Sequence, residues 1–173
     1  MIVLETARLL FRAHAAADLE PFCAMEMDPE VRRFVGGKPR TRAAAEEKFK
    51  RVYLPSPPNR LALWATEYKP EGRYIGYCGV YPQFGSAGPI AGEGTLGLYL
   101  ARPYWGRGLA TEAGAAFIRF GFDELKLSRI VSAVQVGNDA SIRVLEKLGM
   151  AKFRFEPGDL RSFHHYELRN CAI

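Results

Sequence analysis

Residues 98–112 read Leu-Tyr-Leu-Ala-Arg-Pro-Tyr-Trp-Gly-Arg-Gly-Leu-Ala-Thr-Glu, and no other stretch narrows the possible folds so far. The apolar start suits a strand. Pro103, Gly106 and Gly108 break it, and Leu109 opens a segment that is apolar on most faces as far as Leu125, the pattern of a buried helix. Glycine lets backbone turn tightly and approach a ligand with no Cβ in the way. The first N–H groups of the helix lack intrahelical acceptors, and the dipole favours negative charge beside them. A diphosphate is a natural occupant, with Arg107 able to add charge; a purely structural turn fits the same residues. Two common diphosphate signatures are missing. A Walker loop needs a Lys that is not here, and a dinucleotide fingerprint needs Gly or Ala where Thr111 stands.

The flanking sequence supplies the remaining layers. Arg8 to Arg12 reads as a first strand. Asp18 fits the N-cap of a helix through about Met27, and Asp28-Pro29 opens a short helix broken by Gly36-Gly37. Thr41 caps a helix from about 42 to 53, ended by Pro55-Ser56-Pro57-Pro58. Leu61 to Tyr68 and Arg73 to Tyr81 form a hairpin around Pro70-Glu71-Gly72. A flexible Gly/Pro-rich loop, 82–92, precedes the strand from Glu93 to Leu100. After the long helix come a strand from Arg129 to Val136, a helix from Asn138 to Leu148 stopped by Gly149, and strands at Ala151 to Phe155 and Phe163 to Leu168. The pattern predicts one α/β domain over 1–173, with helices on the faces of a mixed sheet of about six to seven strands.

Charge enters at one place. The 173 residues carry 24 Lys and Arg against 19 Asp and Glu, a net +5. Residues 32–51 hold eight of the bases (Arg32, Arg33, Lys38, Arg40, Arg42, Lys48, Lys50, Arg51) against Glu46 and Glu47, so the rest of the chain is close to neutral. Such a patch attracts anionic partners; a solvated helix face is the plainer reading. Basic residues are not interleaved with aromatics, so nucleic acid is not the expected partner. Cys23, Cys78 and Cys171 are too widely spaced for a disulfide framework or a zinc site, and no metal is expected. Cys78, mid-strand, reads as core. The N-terminus lacks the pattern of a signal peptide. The uncharged run from Tyr74 to Gly92 holds five Gly and two Pro, which suits a strand and loop rather than a bilayer span. A cytoplasmic location follows as the expectation.

Trp105-Gly106-Arg107-Gly108-Leu109-Ala110 resembles the acetyl-CoA motif of the GCN5-related N-acetyltransferase (GNAT) superfamily, [R/Q]-x-x-G-x-[G/A]. Trp105 replaces the first Arg or Gln, a departure typical of the RimJ/RimL-type branch, whose turn reads Y-W-G-[K/R]-G-[YL]-A-T-E-A. A second block, Asn138 to Met150, resembles that branch's N-x-x-S-x-R-V-L-E-K-L-G-F and departs only at Met150. Glu5-Thr6-Ala7-Arg8-Leu9 resembles its E-T-x-R-L opening, so the similarity spans nearly the whole chain.

The resemblance implies a GNAT fold in which a bulged strand before the turn splays from the next parallel strand, with acetyl-CoA in the V between them. It implies that backbone of Leu98, Tyr99 and Leu100 bonds the pantetheine arm and polarises the thioester carbonyl. Gly106, Arg107, Gly108, Leu109, Ala110 and Thr111 would hold the pyrophosphate, and Asn138 would bond pantetheine; a helix N-cap is the alternative role for Asn138. The implied reaction is direct attack of an acceptor amine, on a protein N-terminus or a small molecule, upon the thioester. Leu145 stands where many members carry a catalytic Tyr, leaving Ser141 as the candidate for the sulfur-facing acid. Thr95 stands where the branch often carries a Glu; Glu93, on the same strand face, is the substitute base through water, or simply a hairpin-end carboxylate. His164 and His165 alternate faces near the end of the chain. A catalytically weak acyl-CoA-binding regulator is the alternative function, and a homodimer stays open.

Overall fold

The computed structural model describes residues 1–55 and 60–170. Pro57 and Pro58, expected to help end a helix, and Cys171 lie outside them. The described chain runs β1 (Ile2–Glu5), β2 (Leu9–Arg12), α1 (Leu19–Met27), α2 (Pro29–Arg32), α3 (Arg42–Lys48), β3 (Ala62–Tyr68), β4 (Arg73–Gly85), β5 (Gly88–Leu100), α4 (Leu109–Asp123), β6 (Arg129–Gln135), α5 (Asp139–Lys147), β7 (Ala151–Glu156) and β8 (Phe163–Arg169). Its strands form one mixed sheet in the order β1-β2-β3-β4-β5-β6-β8-β7. The eighth strand, beyond the six or seven expected, is β1, which lies antiparallel to β2.

Every neighbouring pair is antiparallel except β5 and β6, which α4 joins by a crossover. That parallel pair is short: Glu93 faces Arg129, Gly94 faces Ile130 and Thr95 faces Val131. Beyond Thr95 the two strands part. Each arm is held from outside: β5 stays in register with β4 up to Leu100, and β6 with β8 up to Gln135. The Ser132 hydroxyl donates to the Leu96 carbonyl at 3.1 Å across the fork. The expected splay is therefore present. The β4–β5 register is unshifted from Gly76–Leu100 to Pro82–Gly94, so the irregularity sits at the hairpin end rather than beside the glycine turn.

Three local readings change. Residues 82–92 are not a loop: β4 and β5 run on as a hairpin until Gly85 faces Gly88. Two extended arms satisfy each other's backbone despite their Gly and Pro, and both prolines flank the register shift, where a missing donor is tolerated. Asp18 does not cap α1. It accepts from the Ala15 N–H at 2.8 Å and from Arg12 Nη1 at 2.7 Å, closing a 3₁₀ turn over Ala16–Asp18. The last turn of the helix after Thr41 widens to π geometry over Phe49–Tyr53. The caps at Thr41 and Asn138 stand as expected, and Asp28 caps α2 ahead of Pro29.

Two cores sandwich the sheet. On one face α4 and α5 bury Phe11, Trp64, Ile75, Phe117, Ile130 and Tyr166; Cys78 lies there too, as expected, and burial pushes its thiol up to about 11. On the other, α1 and α3 bury Phe22, Phe49, Tyr53 and Tyr77. Each such side chain contributes about 1.5–3 kcal/mol. The basic segment is not simply a solvated face. Arg32, Arg40 and Lys48 turn inward onto the wholly buried Glu26, at 3.4, 2.7 and 3.2 Å, and the Tyr77 hydroxyl donates to it at 2.7 Å. Burial pushes the Glu26 carboxyl up, but Tyr77, Lys48, Arg32 and Arg40 together hold it below its ordinary value.

Candidate active site

The V between β5 and β6 opens into a cleft of two joined chambers, of about 450 and 350 Å³. Phe34, Leu98, Tyr99, Ala110, Asn138 and Ser141 line both, at the junction.

The larger chamber lies against the glycine turn. Gly106 and Gly108 sit at φ +70° and +76°, the left-handed region that favours glycine. A Cβ at Gly106 would meet nothing within 4 Å, and at Gly108 only the Arg8 guanidinium at 3.6 Å. No side chain caps α4 at Gly108, so its first N–H groups are left for a ligand. Trp105 folds back, its indole N–H donating to the Leu100 carbonyl at 2.7 Å.

The turn is pinned from behind by the N-terminal segment. Glu112 accepts from Thr6 Oγ1 at 2.6 Å, from the Arg8 N–H at 2.9 Å and from Arg8 Nε at 2.6 Å. Arg8 Nη1 donates to the Arg107 carbonyl at 3.0 Å. Burial alone would raise the Glu112 carboxyl; the bonds from Thr6 and Arg8 outweigh it and hold it below the usual range. The opening motif and the glycine turn are thus two halves of one contact.

Arg107 is placed differently from the expectation. Its guanidinium lies over the Tyr68 and Tyr104 rings and donates to the Tyr68 hydroxyl at 3.0 Å, so only its backbone faces the turn. The chamber's cations are Arg33, Arg143 and Lys147, facing one carboxylate, Glu30. Arg143 and Lys147 lie four apart on one face of α5, a spacing visible in the second sequence block. Arg33 belongs to the basic segment 32–51, whereas nothing local in the sequence marks Phe34 or Val35.

At the junction Asn138 caps α5 by accepting from the Ser141 N–H at 3.3 Å while still lining both chambers, so its two readings coexist. Ser141 sits in the first turn of α5, across from Leu98 and Tyr99. The β5 edge facing the V beyond Thr95 has no strand partner among the described residues. Glu93 lies elsewhere, at the closed end of the V. Arg129 reaches its carboxylate at 3.3 Å and also bonds Glu167 at 2.6 Å, and Glu93 lines neither chamber. Its face of β5 matches the expectation, but the parallel pairing with β6 turns it into an ion pair. His165 bonds Glu156 at 3.0 Å and His164 packs on Phe155; neither lines the cleft.

Chemically, the larger chamber combines uncapped helix N–H groups with cations, which suits phosphate. The junction combines an open strand edge with a hydroxyl, which suits a polarised carbonyl and a departing anion. Among the described residues no group of three or more His, Cys, Asp or Glu could hold a metal, and no helix is long and apolar enough to cross a membrane.

Known proteins resemble this chain in sequence and in fold. The family model described as "Acetyltransferase (GNAT) domain" matches residues 8–151. The uncharacterised N-acetyltransferase p20 of Bacillus licheniformis is 30% identical over 156 residues, covering 88% of this chain and 84% of that protein. A GNAT-family acetyltransferase from Bacillus anthracis superimposes with a TM-score of 0.82 at 22% identity, over 98% of both chains. Spermidine N-acetyltransferase from Vibrio cholerae, solved with CoA and spermine, gives 0.76 at 16% identity over 95% of this chain and 96% of that one. The chain belongs to the GNAT family of acetyltransferases.

Proposed function

We propose that this chain, acting as one domain of the RimJ/RimL type in the cytoplasm, moves an acetyl group from acetyl-CoA to an amine on a protein N-terminus or a small molecule. One observation carries the reading: a continuous cleft joins the uncapped start of α4 to the open inner edge of β5. The spermidine enzyme's complex with CoA supports the donor by analogy of fold.

When bound, acetyl-CoA supplies the thioester carbon that the amine attacks. The N–H groups of residues 106–111, with Arg143 and Lys147, hold its phosphates. Backbone at Leu98, Tyr99 and Leu100 aligns the arm and polarises the carbonyl, with Asn138 on the opposite wall. The Ser141 hydroxyl gives a proton to the leaving sulfur. Glu93 has no part in this scheme, because its carboxylate is spent on Arg129. The acceptor therefore arrives neutral or loses its proton to water.

Thermal unfolding with acetyl-CoA, CoA, ATP and NADPH tests the donor. A ligand at about 100 times its Kd adds about 2.7 kcal/mol, a rise of several degrees in Tm for a domain this size. Acetyl-CoA and CoA are expected to raise Tm, and Gly108→Asp to remove that rise while remaining folded. Stabilisation by ATP or NADPH alone would overturn the assignment.

A further inference from the structure

The smaller chamber receives the acceptor if the reading above holds, and its walls select among amines. Its sheet side is Tyr81, Gly97, Tyr99, Ala133, Gln135 and Phe163, roofed by residues 34–36. Among the described residues, no Asp, Glu, His, Lys or Arg lines it. Glu26, a buried carboxylate linked to that wall through Tyr77, is saturated by Arg32, Arg40, Lys48 and Tyr77, and the Tyr77 ring packs on Tyr99 with centroids 4.9 Å apart. Arg161 donates to the Gly36 carbonyl at 2.9 Å, adding another cation beside the roof.

Two consequences converge. A polyamine would bring a second ammonium into an uncharged chamber backed by cations, where shedding its water without a counter-charge is strongly unfavourable. A lysine-type amine, with pKa near 10.4, is neutral in only about one molecule in a thousand at pH 7.5, whereas an α-amine, at 7.7–8.0, is neutral in about a third. No lining carboxylate can take the excess proton, and burial raises the Tyr81 and Tyr99 hydroxyls above their ordinary range.

One polar group remains unused. Gln135 Oε1 is buried against the chamber wall with no hydrogen-bond partner. A buried acceptor left unpaired is unfavourable, because it has given up its water and gained no donor. For this oxygen to meet an acceptor N–H the amide must turn about its last side-chain bond, which exchanges the places of Oε1 and Nε2.

We propose that the acceptor is a primary α-amine on an uncharged apolar or aromatic body, positioned by Gln135, and that polyamines and lysine side chains are disfavoured. The amine nitrogen bonds to the acetyl carbon as the carbon–sulfur bond breaks. The proton released from nitrogen goes to water, and sulfur takes one from Ser141, which regains it from water. An amino-acid amide and a peptide N-terminus share this chemistry.

The full-length chain is tested in two stages. Calorimetry first measures acetyl-CoA binding; its absence overturns the underlying donor reading. CoA release is then followed at pH 7.5 with phenylalanine amide, a tripeptide beginning with phenylalanine, spermidine and Nα-acetyl-lysine amide. The first two are expected to exceed the last two by about 100-fold or more in kcat/KM, and their ratio assigns the small molecule or the chain end. Gln135→Ala is expected to raise the acceptor KM about tenfold with the acetyl-CoA Kd unchanged. Gln135→Glu is expected to improve spermidine turnover by supplying the missing counter-charge. With acetyl-CoA bound, equal or better transfer to spermidine or the lysine compound overturns the acceptor assignment. So does inactivity with both α-amines. An unchanged acceptor KM in Gln135→Ala removes Gln135 from it.

Discussion

His14 packs against Phe49 and Tyr53, its Nε2–H donating to the Leu63 carbonyl at 3.3 Å and its Nδ1 buried without a partner. Burial lowers its pKa to about 4, although Asp18 and the Leu63 carbonyl favour the charged form. In the unfolded chain the ring titrates near 6.5. The unfolded state therefore binds a proton first, and native stability falls as pH drops from about 6.5 to 4, by up to about 3 kcal/mol. Urea unfolding at pH 7.5 and 4.5 checks this. The wild type is expected to lose far more stability between the two than His14→Gln, and equal losses would reject the assignment. The residue scale also marks the reach of sequence reasoning. Cys78 was legible as core because a strand's alternation is local. Arg107 was not: its guanidinium is drawn off by Tyr68, 39 residues away.

Among elements, the start of α4 and the β1–β2 segment behave as one unit through Glu112. Glu112→Ala strips three donors of their acceptor and leaves the Arg8 side chain held only by the Arg107 carbonyl. It is expected to cost about 1–3 kcal/mol and to weaken acetyl-CoA binding, because the turn loses its backing. Glu112→Gln retains an oxygen for Thr6 and the Arg8 N–H and is expected to recover part of both losses. Unfolding curves read the first effect and calorimetry the second; full affinity in a folded Glu112→Ala variant would separate the turn from its anchor. Helices and caps were legible because they depend on residues three or four apart. The Asp18 cap and the 82–92 loop were misread where a longer-range partner won: Arg12 for the first, strand pairing for the second.

At the scale of the molecule, the buried Glu26 decides how the basic segment is used. Glu26→Ala leaves Arg32 buried and three cations without their shared carboxylate, with an expected loss of about 3–5 kcal/mol. Chemical denaturation measures it; a loss below about 1 kcal/mol would return the segment to a merely solvated face. By itself the sequence determined the strand, glycine turn and helix start, the caps of two helices and the family resemblance, since each rests on preferences within a few residues. Only the tertiary structure decided where β5 and β6 stop pairing, that Glu93 is spent on Arg129, and that an uncharged chamber with an unpaired Gln135 oxygen lies in the gap. Those outcomes depend on which distant strands meet and on what each side chain then finds beside it, and neither is encoded in any local pattern.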